Sequence, residues 1–189
     1  MKGTVLHVDL TAGTSRIVLH EDIFSGYLGG SAAGTELLFT YGDPRADPLA
    51  PESPVIFAIG PFSALYPVAT KTAALFKSPL SGELGESHAG GRLAMSLREA
   101  GIDALIMTGK AERPSYMVIE NETVAVKSAS TFWGQSASAA DRILREAESR
   151  SGRKISIVRI GPAGERLSPM ACATVDGSRH FGRLGLGAV

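Results

Sequence analysis

The sequence predicts an α+β domain with a large strand content, and three observations predict it. Glycine (22) and proline (10) recur along the whole chain and cut its apolar positions into short runs, a pattern of many short strands. Near the start, Val5, His7 and Asp9 alternate with Leu6, Val8 and Leu10, the period-two signature of a strand. Three stretches combine helical spacing with a boundary signal.

In chain order, Thr4 to Leu10 is the first strand, Thr11-Ala12-Gly13-Thr14 supplies turn residues, and Arg16 to Leu19 returns as the second arm of a hairpin. Ala32 to Thr40, after Gly29-Gly30-Ser31, reads as a helix, and Arg92 to Ala100, stopped by Gly101, as another. In the third helix, Ala137 to Glu148, the residues Ile143, Leu144 and Ala147 recur at helical spacing, and Ser138 stands three residues before Asp141 as an acidic variant of a capping box. Ala104 to Thr108, Tyr116 to Ile119, Val124 to Val126 and Ile155 to Ile160 are rich in branched and aromatic residues and read as strands.

The chain also echoes itself. Val55-Ile56-Phe57-Ala58-Ile59-Gly60-Pro61 resembles Ser156-Ile157-Val158-Arg159-Ile160-Gly161-Pro162, and each is followed downstream by His-x-Gly, at His88-Ala89-Gly90 and His180-Phe181-Gly182. A strand ended by Gly-Pro is common turn chemistry. The paired His-x-Gly favours two related halves whose similar loops lie near one another.

The 189 residues fit one domain or two tightly joined halves, and a chain of this size buries about 70% of its unfolded surface. The 44% hydrophobic and 20% charged residues are the balance of a globular protein, with no segment suited to a bilayer. Lys plus Arg and Asp plus Glu both total 19, so there is no basic face for nucleic acid. The amino terminus lacks a secretory pattern, and a cytoplasmic location is expected. Cys172 is the only cysteine, which excludes an internal disulfide and any all-cysteine zinc or iron–sulfur site built from this chain alone.

Two glycine-rich segments are candidates for chemistry. Lys77 to Arg92 reads as a glycine-rich loop opening a helix, where backbone N–H groups meet an anion or simply form a turn. Asp176 to Gly187 reads as a second such loop with two arginines suited to phosphate, and its glycines run in the wrong order for a dinucleotide fingerprint. The four histidines lack metal-ligand spacing; His7 and His20 read as strand and turn residues, and Cys172 as a buried small hydrophobe. Ser78 and Ser81 have no nucleophile elbow around them.

Ten segments in order resemble the amino-terminal domain of the aldehyde ferredoxin oxidoreductase family. They are Leu6 to Gly13, Tyr27-Leu28-Gly29-Gly30, Asp47 to Glu52, Ile59-Gly60-Pro61, Lys77 to Gly82, Gly101-Ile102-Asp103-Ala104, Gly109-Lys110-Ala111-Glu112, Trp133-Gly134, Ile160 to Glu165 and Gly185 to Val189. The resemblance implies one pterin-cofactor-binding domain over residues 1–189, made of two similar, mainly antiparallel β-sheets related by internal duplication, with a few short helices. It also implies a tungsten or molybdenum bis-pterin cofactor whose phosphates are bridged by magnesium. A 4Fe-4S cluster would be held by cysteines of later domains that this chain lacks, and the ending at Gly187-Ala188-Val189 reads as truncation within a segment the family continues.

Carried over by the resemblance, the phosphate- and pterin-contacting positions are Lys71, His88, Gly90, Gly91, Arg179, His180, Gly182 and Arg183, with the main-chain carbonyls of His88 and His180 reaching magnesium. No catalytic residue is expected here, and the isolated chain is expected to be inactive. The complete protein would oxidise an aldehyde to a carboxylic acid and pass electrons to ferredoxin. Without the domains that would cover it, this face is expected to be exposed in the isolated chain, and a homodimer to form through it. Lys71, His88 and Ser31 depart from the family's usual arginine, asparagine and arginine. The rival reading is a stand-alone, non-catalytic pterin-binding or scaffold module.

Overall fold

Residues 2–121, 123–149 and 154–189 are described by the computed structural model. The first half runs β1 (Gly3–Asp9), β2 (Thr14–His20), α1 (Glu21–Tyr27), α2 (Gly30–Tyr41), β3 (Val55–Ile59), β4 (Thr72–Lys77), β5 (Leu84–Ala89), α3 (Leu93–Glu99) and β6 (Ala104–Thr108). The second runs β7 (Ser115–Glu120), β8 (Thr123–Ser128), α4 (Ala137–Glu148), β9 (Val158–Arg159), α5 (Pro162–Glu165), β10 (Ala173–Val175) and β11 (Arg179–Phe181). Both halves therefore contain a hairpin, a helix and a three-stranded meander, in that order. The Gly60-Pro61 and Gly161-Pro162 pairs close the first strand of each meander, and each His-x-Gly lies at the end of the third.

The fold is α+β, with mostly antiparallel sheets and few short helices. The largest sheet has the order β2-β1-β6-β3-β4-β5, in which only β1 and β6 are parallel. In this half β6 joins the hairpin to the meander. Among the described residues of the second half, the hairpin β7-β8 and the meander β11-β10-β9 form separate sheets.

The six-stranded sheet is covered on both faces, which explains its continuous apolar runs. Val55, Phe57 and Ile59 of β3 face a core shared with Val175, Phe181 and Leu186 of the second half. Ile56 and Ala58 face the opposite way, against Phe24 of α1 and Ala33 and Leu37 of α2. Small residues let α2 approach, and a Cβ on Gly34 would stand 2.4 Å from Leu75 Cδ2.

Several expectations need correction. Of the strand expected over Ile155 to Ile160 only Val158–Arg159 pairs, because the Ile157 N–H and carbonyl bond to Asp176 instead of extending the ladder. The cap of α4 is Ser136, whose Oγ accepts the Ala139 N–H at 3.2 Å, and not Ser138; Asp141 instead binds Arg145 and Arg159. The loops expected from Lys77 to Arg92 and from Asp176 to Gly187 contain strands β5 and β11. Cys172 is half-buried, not fully buried.

Where α2 ends, Tyr41 packs edge-on to His7 and donates to or accepts from His20 Nε2 at 3.1 Å. Burial, with Arg16 and His20 nearby, lowers the His7 pKa from 6.5 to about 4. The fold thus favours neutral His7, so stability is full above the unfolded pKa and falls as pH drops from about 6.5 towards 4. Between pH 7 and 4.5 this loss should be on the order of 1 kcal/mol after allowing for partial solvent exposure. Urea unfolding at the two pH values should show a smaller acid loss for His7→Phe than for the unsubstituted chain; equal losses would show that His7 is not responsible.

Candidate functional site

Glycine-rich segments meet at one end of the six-stranded sheet. Gly29, at φ 126°, brings the start of α2 against the end of β3; a Cβ there would stand 2.8 Å from the Ile59 carbonyl oxygen. Thr72 pairs with Ala89, so Lys71 and Gly90 lie opposite one another just beyond the β4–β5 ladder. The edge strand β11 packs beside the edge strand β5. There a Cβ on Gly91 would lie 3.5 Å from Arg179 Cγ and 3.2 Å from Asp176 Oδ2. The structure thereby places His88, Gly90 and Gly91 at the end of β5 and Arg179, His180, Gly182 and Arg183 on and after its neighbour β11.

The glycines divide into two kinds. A Cβ on Gly90 or Gly182 would meet nothing within 4 Å, so these two border open space. Gly185, at φ 85°, and Gly187 are packed against backbone: their Cβ atoms would fall 2.4 Å from the Pro169 oxygen and 2.5 Å from the Cys172 oxygen. The Gly185-Leu186-Gly187 run therefore serves packing. Lys71, Arg179 and Arg183 are exposed, and among the described residues none of the three makes a side-chain hydrogen bond or ion pair. They are free to meet an anion.

Ser31 and His88 touch each other. Ser31 Oγ, in the first turn of α2, lies 3.4 Å from His88 Nε2, and the same nitrogen lies 2.7 Å from Glu86 Oε1. Hydrogen bonds from Ser31 and His88 hold the Glu86 carboxyl below its usual pKa. Both contacts use one ring nitrogen, so the cluster lacks the two-ended relay of a nucleophilic triad. Ser78 is likewise structural: its hydroxyl donates to the Leu184 carbonyl at 2.7 Å and accepts from Leu80 and Ser81.

Sequence reasoning missed Glu86 and Asp176 as members of this face. Glu86 carried a signal, since it alternates with His88 on β5, where Gly85, Ser87 and Ala89 face inward. Asp176 carried none, because its partners are 17 to 84 residues away. Among the described residues no three His, Cys, Asp or Glu side chains form a group that could hold a metal. Among the described residues no helix is long and apolar enough to cross a membrane.

Comparison with known proteins gives the family. The family described as "Aldehyde ferredoxin oxidoreductase, N-terminal domain" matches residues 5–189. The tungsten-containing aldehyde ferredoxin oxidoreductase of Pyrococcus abyssi (strain GE5 / Orsay) is 36% identical over 99% of this chain, which spans 31% of that relative's length. An aliphatic sulfonate oxidoreductase WOR-like subunit of Pyrococcus furiosus is 35% identical over 70% of this chain and 22% of its own. A solved active-site complex BamBC of benzoyl coenzyme A reductase, in complex with 1,5-dienoyl-CoA, superposes with a TM-score of 0.92 at 29% identity, over 100% of this chain and 29% of that one. The face built from β5 and β11 thus lies in a chain that belongs to the aldehyde ferredoxin oxidoreductase family, as its N-terminal domain.

Proposed function

We propose that this domain binds the phosphate ends of a tungsten bis-pterin cofactor in a larger enzyme that oxidises aldehydes to carboxylic acids and passes the electrons to ferredoxin. The observation that carries this reading is that Lys71, Arg179 and Arg183 are exposed and, among the described residues, unpaired, on segments that also carry the open glycines Gly90 and Gly182. Such a face fits an anionic, flat-lying ligand: the glycines leave the backbone accessible, and the cations supply charge. The relatives matched over the whole chain, named as tungsten-containing enzymes, support tungsten over molybdenum.

When bound, the cofactor supplies the two-electron chemistry. This chain's residues bind and orient. Arg179 and Arg183 offer planar forks to phosphate oxygens, and Lys71 a point charge where the family usually has an arginine. The carbonyls of His88 and His180 would offer hard oxygen ligands to a magnesium ion. The remaining domains would supply the 4Fe-4S cysteines, the proton-transfer groups and the substrate pocket, and would cover this face. The loop before Lys71 exposes Phe62, Leu65, Tyr66 and Val68, an apolar area suited to such covering and to self-association of the lone domain, including a homodimer.

The reading is tested by tungsten, pterin and aldehyde-oxidation assays on the complete protein, where all three should be present. Absence of pterin would favour the stand-alone scaffold instead. The isolated chain should contain no iron–sulfur cluster, since Cys172 cannot supply four thiolates. Iron and acid-labile sulfide assays check this, and stoichiometric cluster iron in the monomer would contradict it.

A further inference from the structure

We propose that Asp176 is a positioning residue that fixes the distance between the two loops of the cofactor face; the assignment rests on the reading given above for that face. An aspartate beside an anion-binding surface is at first sight misplaced by charge. Its partners explain it. Oδ1 accepts from the Ile157 N–H at 3.1 Å, Ser156 Oγ at 3.0 Å and Arg145 Nη2 at 3.3 Å. Oδ2 accepts from the Arg92 N–H at 3.1 Å. The carboxylate thus uses most of its acceptor capacity on the protein and is balanced within a network in which Arg145 and Arg159 serve both Asp176 and Asp141, so it is held in place instead of repelling a phosphate.

The backbone of Asp176 is equally fixed. Its N–H donates to the Ile157 carbonyl at 2.9 Å, and its carbonyl accepts from the buried Arg159 guanidinium. At φ 52° it occupies the left-handed region, which aspartate tolerates better than most side chains. Three of the carboxylate's bonds lie within the second half, and the fourth, to Arg92, crosses 84 residues to the first. Arg92 directly follows His88 to Gly91, and Asp176 precedes Arg179 by three positions. That bond ties the two loops directly to one another, and Gly91 stands beside it at φ 107°, where a Cβ would press to 3.2 Å of Oδ2.

Asp176→Asn separates the two roles. The amide oxygen can keep the bonds to Ile157, Ser156 and Arg145, while an NH2 replaces the acceptor that faced the Arg92 N–H. With Cys172→Ser, nitroxide labels on His88→Cys and His180→Cys report the loop spacing by electron paramagnetic resonance. The parent should give one narrow distance distribution, and adding Asp176→Asn should broaden it and shift it to longer distance. Ser156→Ala, which removes a bond inside the second half, should leave it unchanged. If Asp176→Asn does not fold, Gly91→Ala decides, since its Cβ, at φ 107° and 3.2 Å from Oδ2, presses on the same bond with the carboxylate intact. An unchanged distribution in the folded Asp176→Asn chain, or in Gly91→Ala where that decides, overturns the assignment.

Calorimetric titration of the unlabelled chain with magnesium pyrophosphate supplies the second readout. Affinity should fall about tenfold in Asp176→Asn, the scale of one misplaced contact to an anion. Absence of binding by the unsubstituted chain would overturn the anion-binding reading of the face, while the distance measurement would still decide the role of Asp176.

Discussion

Gly185→Ala and Gly187→Ala should each destabilise the domain by about 3 kcal/mol or more, the scale of an overpacked backbone contact with no room to relax. The added Cβ at 185 would meet the Pro169 oxygen at 2.4 Å and Pro79 Cγ at 2.7 Å, at a φ of 85° that disfavours any side chain. At 187 it would meet the Cys172 oxygen at 2.5 Å and its carbonyl carbon at 2.8 Å. Gly90→Ala and Gly182→Ala, which face open space, should stay within about 0.5 kcal/mol of the parent. Thermal or denaturant unfolding of the four variants checks this. Equal losses in all four would erase the distinction between packing glycines and ligand-facing ones.

The second large effect is expected in the complete protein. Arg179→Ala with Arg183→Ala should sharply lower pterin and tungsten content, measured on the purified protein. The domain itself should remain folded, because both side chains are exposed and unpaired among the described residues. Surface substitutions of that kind change stability by about 0.5 kcal/mol or less. Unchanged cofactor content would show that the phosphate contacts belong to other residues.

Much of the fold was legible where local chemistry and burial agree. Ala104–Thr108 and Ala137–Glu148 have the limits that branched residues and helical spacing predict. The first hairpin was visible because one face of β1 is apolar and Gly13 supplies its turn. β4 and β5 were not visible, for a packing reason. Ala73 and Ala74 are small because both faces of the sheet are covered, and small residues carry little strand signal. On β5, Gly85 is imposed by Phe76, whose Cε2 would lie 2.7 Å from a Cβ, so the strand alternates small against polar and reads as a loop.

The site was legible to a different depth. His-x-Gly repeated after two Gly-Pro strand ends pointed to paired loops, and the structure sets β5 beside β11. Which residues hold those loops together was not legible. The Asp176 to Arg92 bond and the Ser78 to Leu184 bond span 84 and 106 residues, and neither pair has a local spacing that marks it. Composition did not distinguish the glycines of 185 and 187 from those of 90 and 182 either, since the difference lies in what each would touch.

The central claim is that the neighbouring strands β5 and β11, with the residues that follow them, hold the cofactor phosphates, and a crystal structure of the complete, cofactor-loaded protein tests it most directly. The main-chain carbonyls of His88 and His180 should face one magnesium ion, with Arg179 and Arg183 on the cofactor phosphates. Cofactor phosphates held elsewhere, with this face packed only against protein, would contradict it.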